Sequence, residues 1–272
     1  MLDFHYSDWW ADPGKQNKPK AWEHLNSAEL QKAVYDYTAQ AMQQLAKANA
    51  LPDIVQIGNE VNGGMIWPDG KLYPQGTEKV GGFDGFTALL KQGIQAVRDN
   101  DPNKDDPAKK IKVMIHLANG GDNKLYRTVF DALTARNVDY DVIGLSYYNY
   151  WHGPFEQFKS NLNDVSQRYN KDVIVAETAY AYSLDNADGM ANLFGKVEQK
   201  LGEYKATVQG QATAIRDVMD AVAHVPNDRG LGVFYWEPDW IPAPGAGWKT
   251  DEGNAWENQA LFDFNGQALP SR

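Results

Sequence analysis

Two glutamates stand out for where they fall. Ile54-Val-Gln-Ile57 reads as a short buried strand; Gly58 ends it, and Asn59-Glu60 follow directly. The pattern returns at Asp172-Val-Ile-Val-Ala-Glu-Thr178, where Glu177 closes a second apolar run. A carboxylic acid at the end of a core strand is costly unless it has partners or a task. The plainer explanation pairs each Glu with a nearby Arg or Lys. As a pair they are the minimum apparatus for hydrolysing a glycosidic bond. In a retaining enzyme one carboxyl protonates the leaving oxygen and the other attacks the anomeric carbon, about 5–5.5 Å away. The two lie far apart in sequence, so only a closed or strongly curved sheet would let them meet.

Other polar and aromatic residues gather after the same kind of strand. Asn59 could hydrogen-bond a sugar hydroxyl, or simply serve a turn. Tyr147 could donate to a carboxylate nucleophile and hold its pKa low, or sit at the rim of the core. Trp236 offers a flat platform for a pyranose ring, with Trp151 and Trp67 further along a cleft; any one of them alone would more often be packing. His5 and His116 end different strands, and Asp8 follows His5. Glu237, also after a strand, competes for a catalytic role, and Pro238 keeps its backbone extended. The five histidines show no His-x-His or His-Glu-x-x-His spacing, which disfavours a catalytic zinc.

Positioning these residues takes a regular scaffold. The chain of 272 residues reads as strand then helix, repeated. Strands are expected at Leu2–His5, Ile54–Ile57, Ile111–Leu117, Val142–Ser146, Val173–Ala176 and Leu231–Tyr235. Helices are expected behind the N-cap Asn26, over Phe86–Arg98, around Leu125–Ala135, over Phe155–Tyr169 and over Val208–Val225. The first helix should turn Leu30, Val34, Tyr37, Ala41 and Leu45 inward. Loops 62–85 and 180–204 are long and polar, and Lys104–Lys110 reads as a solvated, mobile insertion. Short Val- and Ile-rich strands suit a parallel sheet covered on both faces. A functional face at their C-terminal ends fits a (β/α) barrel or an open doubly wound sheet. No Gly-x-Gly-x-x-Gly or Walker pattern follows a strand, which disfavours nucleotide binding.

Composition narrows the partners. Lys and Arg number 26 against 36 Asp and Glu, a net charge of −10. That disfavours nucleic acid and anionic membranes. There is no cysteine. No apolar run approaches the roughly 20 residues of a membrane helix. Met1 leads straight into Leu-Asp-Phe-His, without a signal peptide.

The motifs Asp3-Phe-His-Tyr-Ser-Asp8, Trp10-Ala-Asp-Pro13, Gln56-Ile-Gly-Asn-Glu-Val-Asn-Gly-Gly64, Leu145-Ser-Tyr-Tyr148, Trp151-His-Gly153, Val175-Ala-Glu-Thr178, Val233-Phe-Tyr-Trp-Glu-Pro238 and Asn258-Gln-Ala-Leu-Phe-Asp263 run the length of the chain. In order and content they resemble glycoside hydrolase family 53, the endo-β-1,4-galactanases that cut galactan side chains of pectin. The resemblance implies an α/β fold of (β/α)8 TIM-barrel type and a retaining mechanism. It makes Glu60 the acid/base after the fourth strand and Glu177 the nucleophile after the seventh. The sugar would be bound by His5, Asp8, Asn59, His116, Tyr147, Trp151 and Trp236. The six strands would be the family's third to eighth. Residues 1–272 would then be a single catalytic barrel domain lacking its first two strand–helix units and the Arg the family carries near its second strand. Little activity is expected of such a chain by itself. Alternatives are another retaining endo-glycanase, such as a mannanase or xylanase, or a non-catalytic carbohydrate-binding fragment.

The resemblance further implies a secreted, monomeric enzyme needing no cofactor for its chemistry. It also implies a structural Ca²⁺ in the loop after the seventh strand. There Asp185, Asn186, Asp188 and Asn192 offer oxygens, with Glu257 from the C-terminal segment. Met190 is a poor donor for calcium, and a solvated Asx-rich turn is the plainer alternative.

Overall fold

The computed structural model describes residues 1–249 and 252–271. Among them strands and helices alternate in an α/β architecture of the (β/α)-barrel repeat type. They are β1 (Leu2–Phe4), α1 (Ser27–Lys47), β2 (Ile54–Ile57), a small antiparallel hairpin of β3 (Gly64–Met65) and β4 (Gly70–Lys71), α2 (Gly82–Asp99), β5 (Lys112–Leu117), α3 (Asn123–Ala135), β6 (Val142–Ser146), α4 (Phe155–Tyr169), β7 (Asp172–Thr178), α5 (Lys196–Leu201), α6 (Val208–Ala223) and β8 (Gly230–Tyr235). Backbone contacts group them into two compact units. The first holds Met1–Ala118 and Lys124–Gly144; the second holds Asn119–Asn123 and everything from Leu145 onward.

In the first unit β1, β2 and β5 are parallel, with Phe4 opposite Ile57 and Val55 opposite Val113. Val55, Ile57, Val113, Met114 and Ile115 are buried, as expected of strands covered on both faces. The helix α1 starts on a capping box: the Asn26 side chain accepts from the Ala28 and Glu29 N–H groups, and Glu29 Oε2 accepts from Asn26 N–H. Its inward face departs from expectation. Leu30, Val34, Thr38, Ala39 and Met42 are buried, while Tyr37 is exposed. A polar residue takes the place of Tyr37 because Thr38 satisfies its hydroxyl twice, donating to Val34 O at 2.8 Å and meeting Tyr6 Oη at 2.7 Å. Helix α2 behaves as expected, burying Phe86, Leu90, Gly93 and Val97. Lys110 ends a segment of turns and pairs with Asp141 at 2.5 Å. Arg98 joins the same carboxylate at 2.7 Å and also donates to Ile111 O.

In the second unit β7 and β8 are parallel, with Val175 opposite Val233 and Thr178 opposite Tyr235. Helix α6 buries Val218 and Val222, with Ile215 half-buried at the edge of that face. Behind the strand ends an aromatic cluster forms, with Tyr148, Tyr150, Tyr180, Phe194 and Trp256 all buried. The short helix α5 occupies part of the loop expected to be irregular; at six residues it is too brief for its periodicity to show in sequence.

Candidate functional site

In the first unit the chain turns sharply after β2. Gly58 takes φ 77° and Glu60 takes φ 47°, both left-handed. A Cβ on Gly58 would lie 2.6 Å from Val61 Cγ1, so only glycine fits the close turn. For Glu60 the left-handed backbone is uncommon and must be held by its surroundings. Val61 N–H donates to His116 O at 2.9 Å, which ties the turn to β5. The Glu60 residue is buried, at 8% exposure.

Around it runs a line of side-chain hydrogen bonds. Gln56 Nε2 donates to Asp3 Oδ1 at 2.7 Å and to Asn59 Oδ1 at 3.0 Å. The Asn59 Nδ2 donates to Ala11 O at 2.8 Å. These contacts fix the Asn59 amide, with its oxygen toward His116 Nδ1 at 2.9 Å; that nitrogen therefore carries the proton and donates. His5 accepts Ala11 N–H at Nδ1, 2.7 Å, and meets Asp3 Oδ2 with Nε2, 2.8 Å. Both ring nitrogens of His5 thus brace the loop after β1. Asp8 is exposed and accepts Lys20 N–H at 2.7 Å. Sequence reasoning missed Gln56 and Gln16. Alternation along β2 puts Gln56 at a polar position, but nothing local marks Gln16.

In the second unit Glu177 lies one residue from the end of β7, half-buried. Its Oε2 accepts from Tyr148 Oη at 2.9 Å. The donor is thus Tyr148, and the expectation for Tyr147 is corrected. Tyr147 is 1% exposed, stacks on Phe158 of α4 with ring centroids 4.0 Å apart, and donates to Gly153 O at 3.0 Å. Burial pushes its phenol well above the ordinary tyrosine range. Side chains alternate as the chain leaves β6, so two adjacent tyrosines face opposite ways. Tyr147 still contributes through its backbone, its N–H donating to Glu177 O at 2.8 Å and its carbonyl accepting Thr178 Oγ1 at 2.7 Å.

Trp151 and Trp236 are exposed, at 45% and 37%. Trp151 meets Tyr148 edge-on at 5.7 Å. In the first unit Trp67 is half-buried, with Lys71 Nζ 4.7 Å from its ring centroid. Glu237 takes φ 50°, left-handed and not the extended backbone expected before Pro238, and burial, with Asp239 adding, raises its pKa.

The oxygens expected to hold a cation also lie within the second unit. Asp188 accepts Met190 N–H at 2.8 Å and Asn254 N–H at 2.5 Å. Asn186 Oδ1 accepts Gly189 N–H at 2.6 Å. Glu257 is fully buried, and its Oε1 accepts Ala187 N–H at 2.6 Å. Its Oε2 and Asn192 Oδ1 are buried without a hydrogen-bond donor. Burial, with the charge of Asp188 adding, raises the Glu257 pKa. Glu257 Oε2 and Asn192 Oδ1, two buried acceptors lacking donors, together with the Asp188 carboxylate and the Asn186 amide oxygen form an all-oxygen set that fits a hard divalent cation.

The model of the family described as "Glycosyl hydrolase family 53" matches residues 1–272. The chain is 39% identical over 300 aligned residues to an endo-beta-1,4-galactanase of Bacillus subtilis, covering 100% of this chain and 65% of that one. It is 35% identical to an arabinogalactan endo-beta-1,4-galactanase of Cellvibrio japonicus, covering 100% and 69%. The solved Ignisphaera aggregans GH53 catalytic domain superposes with a TM-score of 0.90 at 51% identity, covering 99% of this chain and 71% of that one. The chain thus spans about two thirds of the length of the curated relatives it matches. No helix among the described residues is long and apolar enough to cross a membrane.

Proposed function

We propose a retaining, internal cleavage of β-1,4-galactan for this chain, which belongs to glycosyl hydrolase family 53 and is a glycoside hydrolase of the endo-β-1,4-galactanase kind. Glu177 acts as nucleophile and Glu60 as acid/base. The observation that carries the assignment is the Tyr148 hydroxyl donating to Glu177 Oε2 at 2.9 Å. A donor on a carboxylate favours its ionised form and fixes its direction, as a nucleophile requires. Glu60 sits buried in a turn held by backbone and amide groups, and takes the acid/base role opposite that nucleophile.

In the first step Glu177 attacks the anomeric carbon while Glu60 protonates the departing oxygen, leaving a glycosyl ester on Glu177. In the second, Glu60 takes a proton from water, which displaces the ester and restores both carboxyls. Asn59, its amide oriented by Gln56 and Ala11, serves a sugar hydroxyl with His5, Asp8 and His116 nearby in the same unit. Trp151 and Trp236 stack on rings. Tyr147 supports the site through its backbone. Both units serve one monomeric catalytic domain, and the strands correspond to the third to eighth of the (β/α)8 barrel. Galactan side chains of pectin are the intended substrate. A polymer of that size is met outside the cell, so the enzyme is secreted. No cofactor takes part in the bond cleavage. A structural Ca²⁺ would be held by Asn186, Asp188, Asn192 and Glu257, and would neutralise buried carboxylate charge there.

Trapping tests the roles. A 2-deoxy-2-fluoro galactosyl donor with a good leaving group should label Glu177, read by peptide mass spectrometry. A label on Glu60 would reverse the assignment.

A further inference from the structure

Gln16 lies in the loop between β1 and α1, 1% exposed, far in sequence from the Glu60 turn. Its Nε2 faces three carbonyls: Asn59 O at 2.7 Å, Asp12 O at 3.0 Å and Glu60 O at 3.3 Å. Three acceptors around one amide leave no doubt which end is the nitrogen. Two hydrogens serve three oxygens, with Glu60 O the longest. The Gln16 backbone carbonyl accepts Trp67 N–H at 2.7 Å, and the adjoining hairpin is closed by Asp12 and Lys15 exchanging backbone bonds at 3.0 Å each. The amide therefore projects from a fixed base.

Two further features make this more than packing. The residue it grips, Glu60, is a non-glycine at φ 47°, a backbone that persists only where its surroundings enforce it. The other end of the amide, Gln16 Oε1, is buried without a donor.

We propose that Gln16 is a positioning residue for Glu60, holding the Asn59–Glu60 peptide so that the Glu60 carboxyl meets the departing oxygen. This rests on the acid/base role proposed for Glu60.

Leaving-group dependence separates this from a merely structural role. Gln16→Leu removes the donors at similar volume, and Gln16→Met provides a second variant should the first not fold. Turnover of galactan should fall by about ten- to a hundredfold with KM within about threefold. The kcat/KM for a 2,4-dinitrophenyl galactobioside, which reports formation of the glycosyl ester and whose leaving group needs no proton, should stay within about threefold. Equal losses on both substrates, or none, would overturn the proposal. Glu60→Gln, run in parallel, tests the underlying assignment: without the same selectivity there, Glu60 is not the acid. The ¹³Cα and ¹³Cβ shifts of Glu60 decide the positioning role in either case, without turnover. They should leave left-handed values in the Gln16 variants; unchanged shifts would overturn it.

Discussion

Tyr147 and Tyr148 are adjacent and identical in chemistry, yet one packs against α4 and the other donates to Glu177. Their substitution by Phe should separate them. A hydrogen bond to a charged group is worth about 1.5–3 kcal/mol. Tyr148→Phe should therefore cost about 10- to 100-fold in kcat on galactan. It should also move the acid limb of the pH–rate profile upward, because the Glu177 carboxylate loses a donor that favours its ionised form. Tyr147→Phe should lower the melting temperature slightly and leave the profile in place. Equal profiles for both variants would contradict the assignment.

Beneath Tyr148 lies His152, whose Nδ1 is 3.2 Å from Tyr148 N and 3.0 Å from Ser146 O. Burial holds its pKa down to about 4, against an ordinary 6.5, with the Ser146 carbonyl opposing. The unfolded chain binds the extra proton first. Stability is therefore fully present above pH 6.5 and is lost as pH falls toward 4, by about 3 kcal/mol at most. Acidification over that window should lower the melting temperature, and His152→Gln should flatten the slope. The same slope in both proteins would exclude His152 as its source.

Loop 185–192 and the turn at Glu257 present buried oxygens from two separate segments. A cation bound only by the native state stabilises it by mass action. Millimolar-range calcium should raise the melting temperature above that in excess EDTA, and Asp188→Ala should abolish the difference. Superimposable melting curves in calcium and EDTA would remove the site. Elements of this kind, built from distant segments, set the limit of what the sequence makes legible. Strands β2 and β6 and helix α4 match their expected bounds because each is a pure apolar or amphipathic run between clear stops. The hairpin of β3 and β4, and helix α5, were hidden in polar loops because two- and six-residue elements carry no period. The glutamates were visible because each interrupts an apolar pattern. Gln16 was not, since its meaning lies in two carbonyls more than forty positions away. The Tyr147 error was one of parity: spacing located the tyrosine pair without telling which member faces the carboxylate.

Taken whole, the chain puts Glu60 in one compact unit and Glu177 in the other, each near the C-terminal end of a parallel strand and each set among a different kind of donor. The surroundings of Glu60 are built from amides, Gln16, Gln56 and Asn59; those of Glu177 are built from aromatics, Tyr148 with His152 and Trp151 beside it. Its net charge of −10 suits a neutral polysaccharide, which neither needs nor resists an acidic protein. The central claim is that both glutamates serve one double displacement on galactan. Time-resolved proton NMR of the reducing ends released from galactan tests it most directly, reading the first anomer before mutarotation. A β-anomer formed first is the predicted result; an α-anomer formed first would contradict the account.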